Sequence, residues 1–480
     1  MIDTVALKNR ILNLAIEGKL SEQLETDGNA DSIAIDIDKQ RKERAEQGKE
    51  KYTKIRSVNN TIAPFNIPKT WRWFYISDMS IFQEGPGILA KDFRKEGISL
   101  IRIAGMNSDV LSLEGCNYLD PEMVEEKWNH FKLDIGDIVI STSASLDRIC
   151  EVTDETAGAI PYTGQIRFKM LGGIEKDYFK IFIKSPFYMQ QINDQKQGGF
   201  ISHYGPTHLK KMIIPVPPIE EQKRIVKKAN AVIELVEIIN LNQNKYAKNL
   251  EILKSKIIDA GIQGKLTEQL TEDGTAEELL EQIAEEKKQL IKEKKIKATK
   301  ALPEITEDEI PFEIPDNWKW VRLSEIMDVR DGTHDSPKYV EEGIPLVTSK
   351  NISSGGLDFT NVNYISQDDA NKINERSNVD TGDILFAMIG TIGNPVIVEK
   401  NREFCIKNVA LFKNFAKDKL DIRYMYWMLM REQYVMKKKA IGGLQPFISL
   451  KVFREYVVPL PPIAEQRRIA DRLDEVISMC

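Results

Sequence analysis

The chain contains itself twice, and this repeat limits its fold more than any other feature. Leu7-Lys8-Asn9-Arg10-Ile11, leading to Gly18-Lys19-Leu20-Ser21-Glu22-Gln23-Leu24, returns as Leu253-Lys254-Ser255-Lys256-Ile257, leading to Gly264-Lys265-Leu266-Thr267-Glu268-Gln269-Leu270. The shift is 253 − 7 = 246 positions. Ile67-Pro68-Lys69-Thr70-Trp71-Arg72-Trp73 returns as Ile314-Pro315-Asp316-Asn317-Trp318-Lys319-Trp320. Pro217-Pro218-Ile219-Glu220-Glu221-Gln222 returns as Pro461-Pro462-Ile463-Ala464-Glu465-Gln466. Copies this long imply two lobes with approximate internal two-fold symmetry. That symmetry suits a target that is itself two-fold, and duplex DNA is the commonest one.

At 480 residues the chain exceeds one ordinary domain. Its formal charge of −6 does not advertise a nucleic-acid binder. A basic cleft can still sit on an acidic body. Cys116, Cys150, Cys405 and Cys480 form no C-x-x-C pair, and no His stands at ligand spacing beside them. A disulfide framework or zinc site is therefore not expected, and a reducing compartment fits. Lys8, Arg10 and Glu17 interrupt the apolar pattern of the N-terminus, which reads as an amphipathic helix rather than a signal peptide. No apolar run reaches membrane-spanning length, so no membrane partner and a cytoplasmic location are expected.

Between the copies, Ile225, Ala229, Val232, Val236, Ile239, Gln243, Tyr246, Leu250, Leu253, Ile257 and Ala260 alternate at spacings of 4 and 3. This is a heptad seam with one polar member, Gln243. As a helix it makes a rod of about 54 Å at 1.5 Å per residue. Ile469, Leu473, Val476 and Cys480 repeat the front of the seam, and Leu7, Ile11 and Leu14 repeat its back. The repeat is therefore circular. The two chain ends are expected to supply a second rod, in which positions 237–246 of the first have no counterpart.

The expected order is an N-terminal helix (1–24), a charged helical or linker segment (25–63), a mixed α/β domain (64–215) and a central helix (216–270). A second charged segment (271–310), a second mixed α/β domain (311–459) and a C-terminal helix (460–480) follow. Thr275 and Glu278 form a capping box before a helix expected from Glu277 to Lys297, with Leu280, Ile283, Leu290 and Ile291 on one side. Asp36 to Lys54 is charge-rich and weakly periodic, and reads as a solvated helix or partly ordered linker. The mixed domains share their edges and a Gly-Asp-Ile strand but differ elsewhere, which suggests one scaffold with two targets.

Catalytic motifs are missing. Gly18-Lys19 and Gly264-Lys265 lack the glycine spacing and following hydroxyl of a phosphate loop. Val216 and Leu460 precede the Pro-Pro pairs, where an amino-methyltransferase would need Asp or Asn, and Ile219 and Ile463 cannot stack on a flipped base. The four histidines are scattered. What remains is a set of polar loops suited to reading bases. In the second domain these hold Thr333, His334, Thr348, Ser349, Lys350, Asn351, Thr391 and Gln445. In the first they hold Arg102, Ser141, Thr142, Ser143, Gln165, Arg167 and His203.

The circular repeat, the P-x-P-P-I-x-E-Q motif (Pro215 to Gln222, Pro459 to Gln466), the Gly-Lys-Leu triplets and the Ile-Pro-x-x-Trp-x-Trp entries together resemble the specificity subunit of type I restriction–modification enzymes. Asp331-Gly332-Thr333-His334 and Val347-Thr348-Ser349-Lys350-Asn351 also resemble that family's target-recognition domains. The resemblance covers nearly the whole chain. It implies two α/β target-recognition domains separated by long antiparallel coiled-coil helices, each reading half of a bipartite DNA site. It further implies no catalysis and no cofactor on this chain. The expected partners are duplex DNA, two methyltransferase subunits that bind S-adenosylmethionine and flip adenine, and two restriction or motor subunits. The competing reading is a non-DNA coiled-coil scaffold that presents two protein-binding modules.

Overall fold

Ile138, Val139 and Ile140 are buried without alternation, the pattern of a strand covered on both faces. The computed structural model describes residues 1–49, 51–58, 63–142, 146, 148–195, 204–298, 301–353, 356–439 and 447–480. Its contacts divide the chain into two units, Met1–Asn244 and Lys245–Cys480.

In the first unit the helices Thr4–Ile16 and Asp31–Glu46 precede ten strands. These are β1 (Arg72–Tyr75), β2 (Ser80–Glu84), β3 (Phe93–Arg94), β4 (Ile98–Ile101), β5 (Asn117–Leu119), β6 (Ile138–Ser141), β7 (Ile149–Glu151), β8 (Ile160–Pro161), β9 (Gln165–Met170) and β10 (Ile213–Val216). They form an antiparallel pair β1-β10, an antiparallel sheet β2-β9-β6-β7, and a sheet β3-β5-β4-β8 in which β4 and β8 run parallel. Helices Lys176–Ile183 and Pro186–Asp194 close the core with Tyr178, Phe179, Phe182 and Tyr188.

The second unit repeats this plan with β11 (Lys319–Arg322), β12 (Asp328–Asp331), β13 (Tyr339–Val340), β14 (Ile344–Val347), β15 (Ile352–Ser353), β16 (Gly356–Leu357), β17 (Asn363–Ile365), β18 (Ile384–Ala387), β19 (Gly393–Ile397), β20 (Cys405–Ile406), β21 (Val409–Lys413) and β22 (Val457–Leu460). Its sheets are β11-β22, β12-β21-β18-β19 and β13-β17-β14-β20, with the hairpin β15-β16 added. Each sheet of the first unit thus has a counterpart of the same order.

The repeated motifs meet at one junction in each unit. The helix opened by Pro-Pro buries its Glu and Gln. Glu221 is 1% exposed and accepts from Trp71 Nε1 (2.9 Å), Gln23 Nε2 (2.9 Å) and Ser21 Oγ (2.9 Å). Glu465 accepts from Trp318 Nε1 (2.8 Å), Gln269 Nε2 (2.8 Å) and Thr267 Oγ1 (3.1 Å). Gly18 takes φ +69°, and a Cβ there would lie 2.5 Å from Pro68; Gly264, at φ +73°, stands likewise 2.7 Å from Pro315. Arg224 clamps Asp27 and Arg468 clamps Asp273. Gly-Lys-Leu, Trp-x-Trp and P-P-I-x-E-Q are therefore three sides of one buried polar joint.

The central helix runs Ile219–Ile262. In the first unit the N-terminal helix lies antiparallel on it. Gln243 exchanges two bonds with the Ile2 backbone, Thr4 bonds Asn240, and Lys8 pairs with Glu237. Ile225, Ala229 and Val236 are buried, and Val232, Ile239 and Gln243 half-buried. In the second unit Leu473 fills the space where Gly261 lacks a side chain, and Ile258 and Ile262 join Ile469 and Leu473 in the core.

Two expectations are corrected here. Leu253 (48% exposed), Tyr246 (66%) and Leu7 (37%) are not buried within their own units, where the heptad spacing predicts burial. Cover in the first unit ends at Gln243, and in the second unit Ile258 and Ile262 are the fully buried positions, with Ile257 only half-buried. The sequence pattern carries on through a stretch that no described segment of the same unit covers. The second correction concerns Asp31–Glu46, which is a packed helix. Ile33, Ala34 and Ile37 are buried, and Arg41 donates to the carbonyls of Ser77 and Asp78. Its low periodicity hid a narrow apolar stripe. After Thr275 the capping box forms as expected, and the helix Ala276–Lys292 buries Leu279 and Ile283, leaving Leu280, Leu290 and Ile291 half-buried.

Candidate nucleic-acid interface

Both units build the same corner at the ends of the same strands. In the second, the segment after β12, the segment after β14 and the β20–β21 turn converge. Gly332 is required there, since a Cβ would lie 2.3 Å from the Ile406 carbonyl oxygen. In the first unit the equivalents follow β2, β4 and β8, and a Cβ on Gly85 would lie 2.3 Å from the Pro161 carbonyl oxygen. Gly332 N donates to Val409 O, and Gly85 N donates to Gln165 O, each across 2.9 Å. The left-handed turn residue is Asn408 (φ +55°) in one corner and Gly164 (φ +81°) in the other.

Different side chains fill these matching corners. In the second, Asp331 ends β12, is buried, and holds both His334 Nε2 (2.8 Å) and Arg376. His334 Nδ1 stands 2.9 Å from Asn408 Oδ1. Ser349 Oγ donates to Asn408 O, Thr333 O accepts from Asn408 N, and Lys407 Nζ reaches Ser336 Oγ. Lys350 is exposed and has no partner among the described residues. Thr333, His334, Thr348, Ser349 and Lys350 are thus brought together.

In the first corner Arg102 lies over the Tyr162 ring, 4.4 Å from its centroid, with Phe93 at 5.9 Å. Its Nη1 donates to Asn117 Oδ1 across 3.3 Å. The guanidinium is half-exposed and held flat by the ring, so a polar edge is left for a ligand.

Several candidates point inward instead. Arg167 is 8% exposed; it donates to Lys132 O (2.6 Å) and Gln83 Oε1 (2.7 Å) and approaches Asp137. Gln165 is buried, and its Oε1 accepts from Tyr162 N. Ser141 and Thr142 are fully buried. Asn351 is buried, with its Oδ1 accepting from Thr348 and its Nδ2 donating to the Asp358 and Asn361 carbonyls. These side chains are buried and brace the loops. Their polarity attracted attention, but Ser141, Gln165 and Arg167 sit on strands buried on both faces, and Thr142 and Asn351 on tight turns closed over them. Thr391 is exposed on the β18–β19 turn and has no bond to the corner. Ser143, His203 and Gln445 lie outside the described residues.

Sequence reasoning quoted Asp331 only as part of its motif, and missed Arg376, Lys407 and Asn408 in one corner and Tyr162 in the other. A signal existed for the first set: Lys407-Asn408 is a polar pair inside the apolar run from Phe404 to Phe412.

The buried ionisable groups are structural. Burial pushes the Cys150 and Cys405 thiols up to about 11, away from reactivity. It also raises the carboxyls of Asp137 and Asp383, against the downward pull of nearby cations. Among the described residues, no group of three His, Cys, Asp or Glu side chains could hold a metal, and no helix is long and apolar enough to cross a membrane.

Residues 68–249 and 315–480 match the type I restriction modification DNA specificity domain. The chain is 27% identical to the type I restriction enzyme EcoAI specificity subunit of Escherichia coli, over 99% of this chain and 89% of that protein. It is 25% identical to the EcoEI specificity subunit of Escherichia coli, with the same coverage. A chain solved in work on complex assembly and conformational transition of the type I R-M system shares the fold at a TM-score of 0.61 and 20% identity, covering 87% of this chain and 92% of that one. The two matched segments take in both corners and the start of the central helix, and the chain belongs to the type I restriction–modification DNA specificity family.

Proposed function

We propose that this chain is the DNA-reading subunit of a type I restriction–modification complex, with each mixed domain reading one half of a bipartite duplex site. The observation that carries this reading is the pair of corners. One backbone frame, fixed by Gly85 and Gly332 against a neighbouring strand, presents Arg102 on Tyr162 in one unit and Lys350, Thr333 and Asn408 in the other. A shared frame with different polar fillings is what two different half-sites require, since base edges are told apart by donor and acceptor pattern.

The reader segments are 64–215 and 311–459, and the helical segments 1–24, 216–270 and 460–480 carry them. Ser143, His203, Thr391 and Gln445 complete the proposed contact set. The chain carries no catalysis and holds no cofactor. Two methyltransferase subunits supply S-adenosylmethionine and the transfer to adenine, and two restriction or motor subunits join them in the full complex. Its compartment is the cytoplasm.

The test is domain exchange. Residues 64–215 are replaced by the matching segment of a relative, the chain is co-expressed with its methyltransferase subunits, and methylated adenines are mapped. One half of the recognised site should change and the other stay. A change in both halves, or in neither, would refute the modular reading.

A further inference from the structure

We infer that the side-chain amide of Asn408 reads an adenine in the half-site taken by the second domain, and that Asp331 and His334 aim it. The inference rests on the proposal that this domain reads DNA.

Asn408 is the only non-glycine residue at positive φ in either corner among the described residues. The matching turn of the first unit uses Gly164, so the backbone alone does not require a side chain. Asn tolerates this region better than most residues, at a cost that Gly avoids. A side chain kept there despite that cost has a use.

Its position is fixed from three directions. Its N donates to Thr333 O at 3.1 Å, its O accepts from Ser349 Oγ at 3.3 Å, and its Oδ1 lies 2.9 Å from His334 Nδ1. His334 is braced in turn by Asp331, which is buried at the end of β12 and engaged by Arg376. The relay therefore leads from a rigid strand through an imidazole to one end of the amide. Both ring nitrogens of His334 are occupied, so it serves as a positioning residue.

The other end of the amide, Nδ2, has no partner among the described residues. Oδ1 has a second lone pair beyond the one facing His334. Adenine shows the major groove an N6 donor and an N7 acceptor, the pair that an Asn amide meets with two bonds. A guanine offers two acceptors there and cannot meet Oδ1. Lys350, exposed nearby and unpartnered among the described residues, supplies charge for the backbone beside it.

The experiment uses Asn408→Gly, which suits the left-handed turn and deletes only the amide, together with His334→Ala. Each full-length variant is co-expressed with the methyltransferase subunits, and its methylated sites are mapped. Asn408→Gly should lose discrimination for adenine at one position of the second domain's half-site by roughly 5- to 150-fold, the fold-change for one good bidentate pair. His334→Ala should relax the same position to a lesser degree and no other. An unchanged site for Asn408→Gly, an equal loss at every position, or relaxation at a base other than adenine would overturn the assignment. Exchange of residues 311–459 separates the two levels. If the exchange changes a half-site while Asn408→Gly does not, only this inference fails. If the exchange changes neither half-site, the reading of the domain fails with it.

Discussion

Trp71 donates its indole N–H to the carboxylate of Glu221 across 2.9 Å, in a joint where Glu221 is 1% exposed. The same carboxylate takes Gln23 and Ser21, so one side chain ties the domain entry, the Gly-Lys-Leu segment and the start of the central helix. Glu221→Ala leaves three donors without their acceptor. About 1–3 kcal/mol is lost for each buried donor left unpaired. Urea unfolding should show Glu221→Ala less stable by several kcal/mol, with Glu221→Gln intermediate. Glu465→Ala should match it, through Trp318, Gln269 and Thr267.

The seam makes an uneven prediction along its length. Leu473 is fully buried against Gly261, whereas Leu253 is 48% exposed. Leu473→Ala should cost about 2–5 kcal/mol, and Leu253→Ala about 0.5 kcal/mol or less. Thermal unfolding of the two variants checks this. Equal shifts would mean that Leu253 is covered.

Arg102 and Arg167 differ in kind although both are arginines of the first domain: one is half-exposed on Tyr162, the other buried. Arg102→Ala should leave stability nearly unchanged and cost roughly 1–3 kcal/mol of affinity for the cognate duplex, concentrated at one base position. Arg167→Ala removes donors from Lys132 O and Gln83 and leaves the raised carboxyl of Asp137 without its nearest cation. It should lower the melting temperature and leave base preference alone. Binding measured against a panel of single-base variants separates the two.

Acid should weaken the joints in a defined window. Hydrogen bonds from Arg224 and Arg468 hold the Asp27 and Asp273 carboxyls below their ordinary value of 3.8, and Arg322 holds Glu309 down to about 2. A depressed carboxyl contributes stability above its unfolded pKa and loses it as pH falls through the folded one. Asp137 and Asp383, raised by burial, act in the opposite sense in wild type and variants alike. The difference between wild type and Arg224→Ala/Arg468→Ala should therefore be present at neutral pH and shrink below about pH 4. Denaturant melts across pH 3–7 measure it.

A helix that carries two readers can also set their separation. Inserting one heptad after Gln243 lengthens the central helix by about 10.5 Å, close to three base pairs at ~3.4 Å each. The insertion falls where cover by the N-terminal helix ends in the first unit and before Ile258 and Ile262 are buried in the second. Each unit therefore keeps its own contacts. Methylation mapping should return both half-sites unchanged with a longer preferred gap. An unchanged gap in an active variant would rule out the helix as the ruler.

The sequence by itself determined the duplicated plan. The repeat, the heptad spacing, the capping box at Thr275 and the Pro-Pro helix starts are local patterns, and local patterns survive in one dimension. It also marked the loops at Gly332–Asn351 that converge in the second corner, because glycine and short polar residues mark turns. Only the tertiary structure decided which polar side chains face out. Arg167, Gln165 and Asn351 read as base contacts on residue type, yet strand direction and loop closure turned them into internal braces. Asn408 and Asp331 acquired their roles by meeting His334 from 74 and 3 residues away. The limit of the seam, too, was a matter of partners. A heptad records which face of a helix is apolar, and the burial of that face depends on what lies against it.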